Sequence, residues 1–429
     1  MPRSLVLLFA CASGLCVANV YYAQPLLDAL AVDFGMPPAA AGSIITATQA
    51  GSVLALLLLV PLGDLLPRRS LMLWQLMALT AALAGVCLAR HAAWLMAGML
   101  AVGMLGTAMT QGLIAYAASA ADDGERGRVV GAAQSGVVAG LLLARVVAGW
   151  VADQAGWRGV YGASAAIMLV LGMLLWRALP ASAPRNAGYA PADVTPTCLP
   201  SVAGPMPRQR AEANDGGQPA QAAPPSWLAL IASMFALLRR QRVLQVRGVI
   251  ALLMFAVFGA FWSALVFLLS APPYAYSHTA IGAFGLVGLA GALAAARAGR
   301  WADQGRAQHT SAVALTLMLL SWLPLALAPH SLAALIIGVL ALDLAVQALH
   351  VTNQSLILQS GAQHSRLIGA YMMFYAVGSG GGAWAATNVY AWAGWSGVCL
   401  LGTGLSLIAL MFWVATKWPV RIAKLAGPI

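Results

Sequence analysis

The sequence predicts an all-α integral membrane protein, with twelve transmembrane helices in two pseudo-symmetric six-helix bundles. Three observations predict it. Apolar residues make up 61% of the 429 residues and charged residues only 8%, where a soluble chain carries about a quarter. The apolar residues gather in continuous runs as long as a bilayer is thick. The second half repeats landmarks of the first at a nearly fixed offset. So few charges cannot cover a soluble fold of this size. The composition therefore excludes a soluble enzyme, a nucleic-acid binder or a disordered protein as a description of the whole chain.

Hydropathy places the spans at 4–30, 39–62, 70–89, 94–119, 129–151 and 158–178, then 247–270, 280–298, 309–328, 332–357, 367–391 and 396–416. Each approaches or exceeds the roughly 20 residues that a membrane helix needs. Barrel strands would be about half as long and would alternate in polarity, so helices remain. The first run continues to about Leu30 without a small-residue cleavage site, so it reads as a retained span rather than a signal peptide. Pro25 is placed to kink it.

Counting cations orients the chain. With the N-terminus inside, 20 Lys and Arg fall on the inner side and only Arg90 and Arg158 on the outer side, while Arg145 sits within a span. That asymmetry predicts two cytoplasmic termini. Residues 180–225, rich in Pro, Ala, Gly and Gln, read as a disordered cytoplasmic linker. Within 226–246, Trp227, Leu230, Ile231, Met234, Phe235 and Leu238 precede arginines, the pattern of an interfacial helix or of a frayed start to the seventh span. The resulting division is a first bundle over 1–179, a linker over 180–246 and a second bundle over 247–429.

The net charge of +11 is spread over short loops, which argues against nucleic acid as a partner. No Gly-Lys pair occurs, so a phosphate-binding loop is absent. The five cysteines form no C-x-x-C pair and no Cys/His cluster. Neither a metal site nor a cofactor is expected.

The repeat is specific. Arg128, Gly131 and Gly140 return as Arg366, Gly369 and Gly378, each shifted by 238. Ala155-Gly156-Trp157 returns as Ala393-Gly394-Trp395 at the same offset, Asp64 as Asp303 at 239, and Gln111 as Gln347 at 236. Two parallel six-helix units follow.

The motifs carry a resemblance. Gly63-Asp64-Leu65-Leu66-Pro67-Arg68-Arg69 resembles the signature loop of the major facilitator superfamily, with Val60, Leu65 and Pro67 replacing its Gly, Arg and Gly. Gly299-Arg300-Trp301-Ala302-Asp303-Gln304-Gly305-Arg306 is similar to a second copy. Tyr21-Tyr22-Ala23-Gln24-Pro25-Leu26-Leu27, Leu342 to Gln347 and His350 to Gln354 resemble the bacterial 12-span drug and sugar efflux branch. The stretch from Gly131 to Gly149 lacks the Gly-Pro of the antiporter glycine motif. The resemblance implies a monomeric transporter whose first, fourth, seventh and tenth spans line a central cavity. It also implies a conformational latch built from Asp64, Arg68, Arg69, Asp303 and Arg306.

Asp343 is the sharpest candidate for function. It lies near the middle of a span, where an aspartate costs about 2.5–3.5 kcal/mol on insertion scales. An apolar surround favours the protonated carboxyl, so a cavity that wets and dries there lets Asp343 exchange a proton. Gln347 and His350 follow on the same face at i+4 and i+7. The competing reading is a structural hydrogen bond to a neighbouring helix. Thr107 and Gln111 are expected to face the same cavity from the other half, or else to join helices by hydrogen bonds. Tyr21, Tyr22 and Gln24, with Phe261 and Trp262 at an offset of 240 from the tyrosines, are placed to stack on a ligand or to anchor at the outer interface. Arg145 is expected to snorkel outward or to pair with an anionic substrate or a carboxylate such as Asp28. The glycines of the eighth span, Gly282, Gly285, Gly288 and Gly291, are read as a close-packing face.

These features predict a secondary transporter that moves a small organic molecule by proton-coupled efflux, with the bilayer and protons as its other partners. The alternative is a facilitator or importer on the same fold. The cavity candidates hold no cation cluster, which favours neutral or cationic substrates over multiply anionic ones. Ser135 and His350 stand alone, without a nucleophile elbow or paired carboxylates, so an enzyme is not expected.

Overall fold

The computed structural model describes residues 3–121, 125–179, 226–288, 301–359 and 364–425. Every regular element among them is helical. The first half comprises α1 (Arg3–Tyr21), a 3-10 turn (Gln24–Leu26), α2 (Leu27–Asp33), α3 (Pro38–Leu54) with a π turn (Ala55–Leu59), α4 (Leu62–Leu65), α5 (Arg68–Cys87), α6 (Ala92–Ala120) and α7 (Arg126–Ala178). The second comprises α8 (Trp227–Arg240), α9 (Arg242–Ser270), α10 (His278–Val287), a π turn (Ala302–Arg306), α11 (Ala307–Leu320), α12 (Trp322–Ala326), α13 (Leu332–Leu358) and α14 (His364–Leu425).

Local chemistry sets several boundaries. Pro25 opens the 3-10 turn that separates α1 from α2, so the first span breaks where its proline stands. Ser226, Ser277 and Ser331 cap α8, α10 and α13, each accepting the backbone N–H three residues on. The segment over 226–246 is not a frayed start of the seventh span. α8 is a separate helix, broken from α9 at Gln241, with Leu230 and Met234 buried and Leu228 and Phe235 exposed.

Nine helical stretches among the described residues are long and apolar enough to cross a membrane. Two of them reverse direction midway. α7 has 53 residues, about 80 Å if straight against a hydrocarbon core of about 30 Å. Gly140 packs against the backbone of Gly14, yet Ser164 Oγ donates to Asn19 Oδ1 at 2.5 Å. Five residues of α1 cannot span 24 residues of a straight α7, so the chain turns back, and it does so at Gly156 (φ 68°). α14 does the same at Gly394 (φ 60°), 238 residues later. The repeat extends to packing. A side chain on Gly140 would strike the Gly14 backbone, and one on Gly378 would strike Leu252, both partners shifted by 238.

The halves meet along two seams. Thr46 Oγ1 on α3 donates to the Gly380 carbonyl of α14 at 2.8 Å, and Thr387 Oγ1 donates to the Ala39 carbonyl at 3.1 Å. On the other seam Gly149 of α7 lies against the backbone of His278, and Gly282 of α10 against that of Arg145. Both seams close at the end remote from the termini. Toward the other end the halves part around a cavity of about 150 Å³. Large apolar side chains cover the outside, including Trp74, Trp392 and Leu400, each about 75–78% exposed. A surface this apolar suits a lipid solvent.

Candidate functional site

Asp343 lies on α13 with its side chain turned into the seam and only 4% exposed. Its Oδ1 has no hydrogen-bond partner, while Trp262 of the neighbouring α9 is directed at the same carboxyl. Facing it across the seam is Arg145 of α7, 2% exposed and within its electrostatic reach. Arg145 does not snorkel outward; it turns inward toward a carboxylate, that of Asp343 and not of Asp28, which lies against His278. Its Nε donates to Gln24 Oε1 at 3.0 Å and its Nη1 to the Leu141 carbonyl at 3.4 Å, while Nη2 has no partner. Its guanidinium carbon lies 4.3 Å from the Trp262 ring centroid, 5.6 Å from that of Tyr21 and 5.8 Å from that of Phe258. Cation–π contact holds the charge inward.

The glycines of α10 make this arrangement possible. A side chain on Gly285 would lie 3.3 Å from Arg145 Cβ and Cδ, and one on Gly288 would press on Asp343 Oδ2. Positions three apart share a helix face, so one glycine face receives both ionisable side chains. Gly291 lies outside the described residues. Trp262 Nε1 is buried, outside full hydrogen-bond geometry, and directed at the Asp343 carboxyl, and a space of about 10 Å³ adjoins Arg145, Gln24 and Trp262.

The other expected cavity residues divide. Consecutive helical residues point about 100° apart. Trp262 therefore faces the seam while Phe261, fully buried, packs in the second half's core against Trp322 and Trp395 at 6.5 and 6.2 Å. Tyr21 reaches Arg145, whereas Tyr22 is buried beside Ser164. Thr107 Oγ1 donates to Ser52 Oγ at 2.8 Å and joins α6 to α3, which is the hydrogen-bonding alternative. Gln111 lines the larger cavity with Gln75, Arg68 and Arg366, so it does not meet Asp343 in one chamber. Gln347 is half-buried, one turn from Asp343. His350 Nδ1 lies 2.9 Å from Tyr371 Oη, and Arg247 donates from Nη1 to Ser311 Oγ at 2.9 Å and Asn353 Oδ1 at 3.2 Å. Arg247, counted above among the inner cations, is thus buried at 4% exposure.

Of the residues expected to form a latch, Arg68 donates to the carbonyls of Gly63 and Ala115, at 3.3 and 3.1 Å, and Arg69 to that of Trp176 at 2.9 Å. The Trp176 carbonyl lies in the final turn of α7, where cations are favoured, while Ala115 lies five residues before the end of α6. Arg306 is exposed beside Gly305. The side chains of Asp64 and Asp303 lie outside the described residues, as does the linker over 180–225.

One cluster escaped the sequence reading. His278, the first residue of α10, has Nε2 at 3.1 Å from Asp28 Oδ1 and Nδ1 at 3.4 Å from Asp153 Oδ1. Asp153 also accepts the backbone N–H groups of His278 and Thr279, at 3.0 and 2.8 Å, and the Thr279 hydroxyl. An aspartate of the first half therefore caps a helix of the second. The only signal was the polar run Ser277-His278-Thr279 opening an apolar helix.

The family model described as Major Facilitator Superfamily matches residues 9–360. A protein of Escherichia coli named as the transporter YgaY is 37% identical over 421 residues, covering 96% of this chain and 95% of its own. A Streptomyces coelicolor protein named as a transporter is 29% identical over 426 residues, covering 98% and 88%. Among solved structures, a bacterial homologue of the lysosomal transporter Spinster superposes with a TM-score of 0.70 at 13% identity, covering 96% of each chain. The human organic anion transporter MFSD10 superposes with a TM-score of 0.62 at 20% identity, covering 96% and 100%. At these identities the structural likeness is one of fold.

Proposed function

From the premise that the chain belongs to the Major Facilitator Superfamily, a family of membrane transporters, we propose that it couples movement of a small organic molecule to movement of a proton through Asp343. The observation that carries this reading is the buried meeting of Asp343 on one half with Arg145 on the other. Rocking the halves apart wets both groups, and rocking them together dries them. A carboxylate that alternates between those surroundings binds and releases a proton. A proton moving down a difference of one pH unit supplies about 1.4 kcal/mol, enough for roughly a tenfold substrate gradient without ATP.

The proposal includes a bacterial cytoplasmic membrane, both termini inside, a monomer, and the division into bundles over 1–179 and 247–429 joined by a cytoplasmic linker with α8 on the inner leaflet. In that orientation the 150 Å³ cavity faces the cytoplasm and the His278 cluster closes the outer side. The latch is part of the same proposal, with Arg68 and Arg69 leaving their carbonyls as the inner side closes.

Export by proton antiport, the direction suggested by the efflux resemblance, requires proton and substrate to exclude each other. A second reading, symport, has both bind together. The buried Arg145 favours that second reading, because it supplies a positive charge that Asp343 alone would not.

Purified protein in liposomes with an imposed pH gradient tests the proposal. The gradient should drive solute movement in the native protein and should cease to do so in Asp343→Asn, while exchange down the solute's own gradient continues. Coupled movement that survives Asp343→Asn removes Asp343 from the proton path.

A further inference from the structure

We infer that the transported molecule is an organic monoanion, bound by Arg145 and accompanied by a proton on Asp343. This rests on the reading of Asp343 as the proton carrier and adds the substrate's chemistry and the sign of coupling.

The first argument is the inventory of buried donors. Arg145 Nη2 is buried and unpartnered, and beside it Trp262 Nε1 is directed at the Asp343 carboxyl without closing a full hydrogen bond. A donor left so is costly in an apolar interior. The space beside them, about 10 Å³, holds no more than a water while the halves are closed; once they part, the open Nη2 suits a carboxylate, which accepts from guanidinium and indole alike. A cationic ligand would meet the guanidinium charge, and a neutral one would leave that charge uncompensated whenever Asp343 is protonated. Tyr21, Phe258 and Trp262 wall the guanidinium and offer their rings to the organic part of the ligand.

The second argument is charge balance. Arg145 and ionised Asp343 sum to zero in a buried site. An anion alone makes the site negative, and a proton alone makes it positive. Together they leave it neutral, so each strengthens binding of the other. Among the described residues Arg145 on α7 is the charged group facing Asp343, α9 presents Trp262, α10 presents Gly288, and Tyr21 on α1 is reached through Arg145. His350, two turns away on α13, is turned to Tyr371 and Phe255. Uptake of the anion therefore brings about one proton with it, and the pair crosses without net charge.

The experiment uses purified full-length protein with benzoate, phenylacetate and octanoate as probes, against benzamide and benzylamine. Binding is read by tryptophan fluorescence, and proton uptake by a pH-indicator dye in weak buffer. At least one monocarboxylate should bind with uptake of about one proton per anion. Arg145→Gln should weaken that binding about tenfold or more, and Arg145→Lys should retain part of it. Asp343→Asn should still bind the anion but without proton uptake. The double variant Arg145→Gln/Asp343→Asn leaves no buried charge at this seam, so it keeps the fold while losing both anion preference and proton uptake. Binding of benzamide or benzylamine with no response to any carboxylate overturns the inference, as does silence of the whole carboxylate series. Anion binding without proton uptake, or unaltered by Arg145→Gln, overturns it equally. Movement driven by a pH gradient through Asp343 with a cationic solute would sink this inference alone. Proton uptake that persists in Asp343→Asn would sink the transport reading beneath it.

Discussion

Asp153 is the most informative residue to remove, because it caps α10 from the opposite half. Its carboxylate accepts from the backbone N–H groups of His278 and Thr279, at 3.0 and 2.8 Å, and from the Thr279 hydroxyl. Loss of an N-cap costs about 1 kcal/mol, with about 2 as the upper range. The charge at the positive end of a helix adds about 0.3–1 kcal/mol. The Asp153 side chain is 21% exposed, so a combined value of about 1.5–2.5 kcal/mol is reasonable after screening. These bonds exist only while the two halves touch. Their loss in Asp153→Ala therefore shifts the ratio of closed to open at this end by about tenfold to sixtyfold. Spin labels at Val32 and Leu327, exposed on opposite halves at the same end, report that ratio as a distance distribution. The variant should gain a longer-distance population. A protein that keeps the native distribution while its thermal stability falls by the full amount would refute the reasoning. The cap would then stabilise α10 alone and not the contact between halves.

Two further outcomes follow from the same geometry. The hydrogen bond to Asp28 is the foremost cause holding the His278 imidazole pKa above its ordinary value, and the charge of Asp153 adds to it. The charged form is the one that bridges the carboxylates, so its contribution is complete below the ordinary histidine pKa and is lost as pH rises through the elevated one. The same spin-label distances should lengthen on raising the pH, and His278→Gln should flatten that response; a pH-independent native distribution would contradict it. At the turn of α7, Gly156 combines φ 68° with ψ 174°, a region open to glycine alone. Gly156→Ala should cost about 1–3 kcal/mol, read as a lower melting temperature in detergent, and an unchanged melting temperature would show that the turn relaxes elsewhere.

What could be read from the sequence was what depends on local pattern. The spans follow from continuous apolar runs, and the break after α1 from Pro25. The repeat at 238 places two glycines, Gly156 and Gly394, at the two turns that only glycine permits. That glycines line α10 was also legible. What escaped depended on the partner half. An arginine a few residues inside a span can reach out to water or in toward the core. For Arg145 the choice is made by Gly285 of α10 and Trp262 of α9, more than a hundred residues away. Phe261 and Trp262 are adjacent and chemically alike, and only the rotation of α9 against its neighbours decides which one faces the seam. Asp28, Asp153 and His278 each sit near a helix end in separate parts of the chain, and no spacing rule joins them. Arg68 and Arg69 were legible as a motif, and their described contacts are with backbone carbonyls.

Infrared difference spectroscopy of the protein in membranes, recorded as pH is stepped across the neutral range, watches the carboxyl group itself. The account predicts a protonated-carboxyl band that rises reversibly as pH falls and disappears in Asp343→Asn. It also predicts that the band changes when a monocarboxylate is added. A native spectrum identical to that of Asp343→Asn across the range would contradict it, for Asp343 would then hold one protonation state throughout and carry no proton.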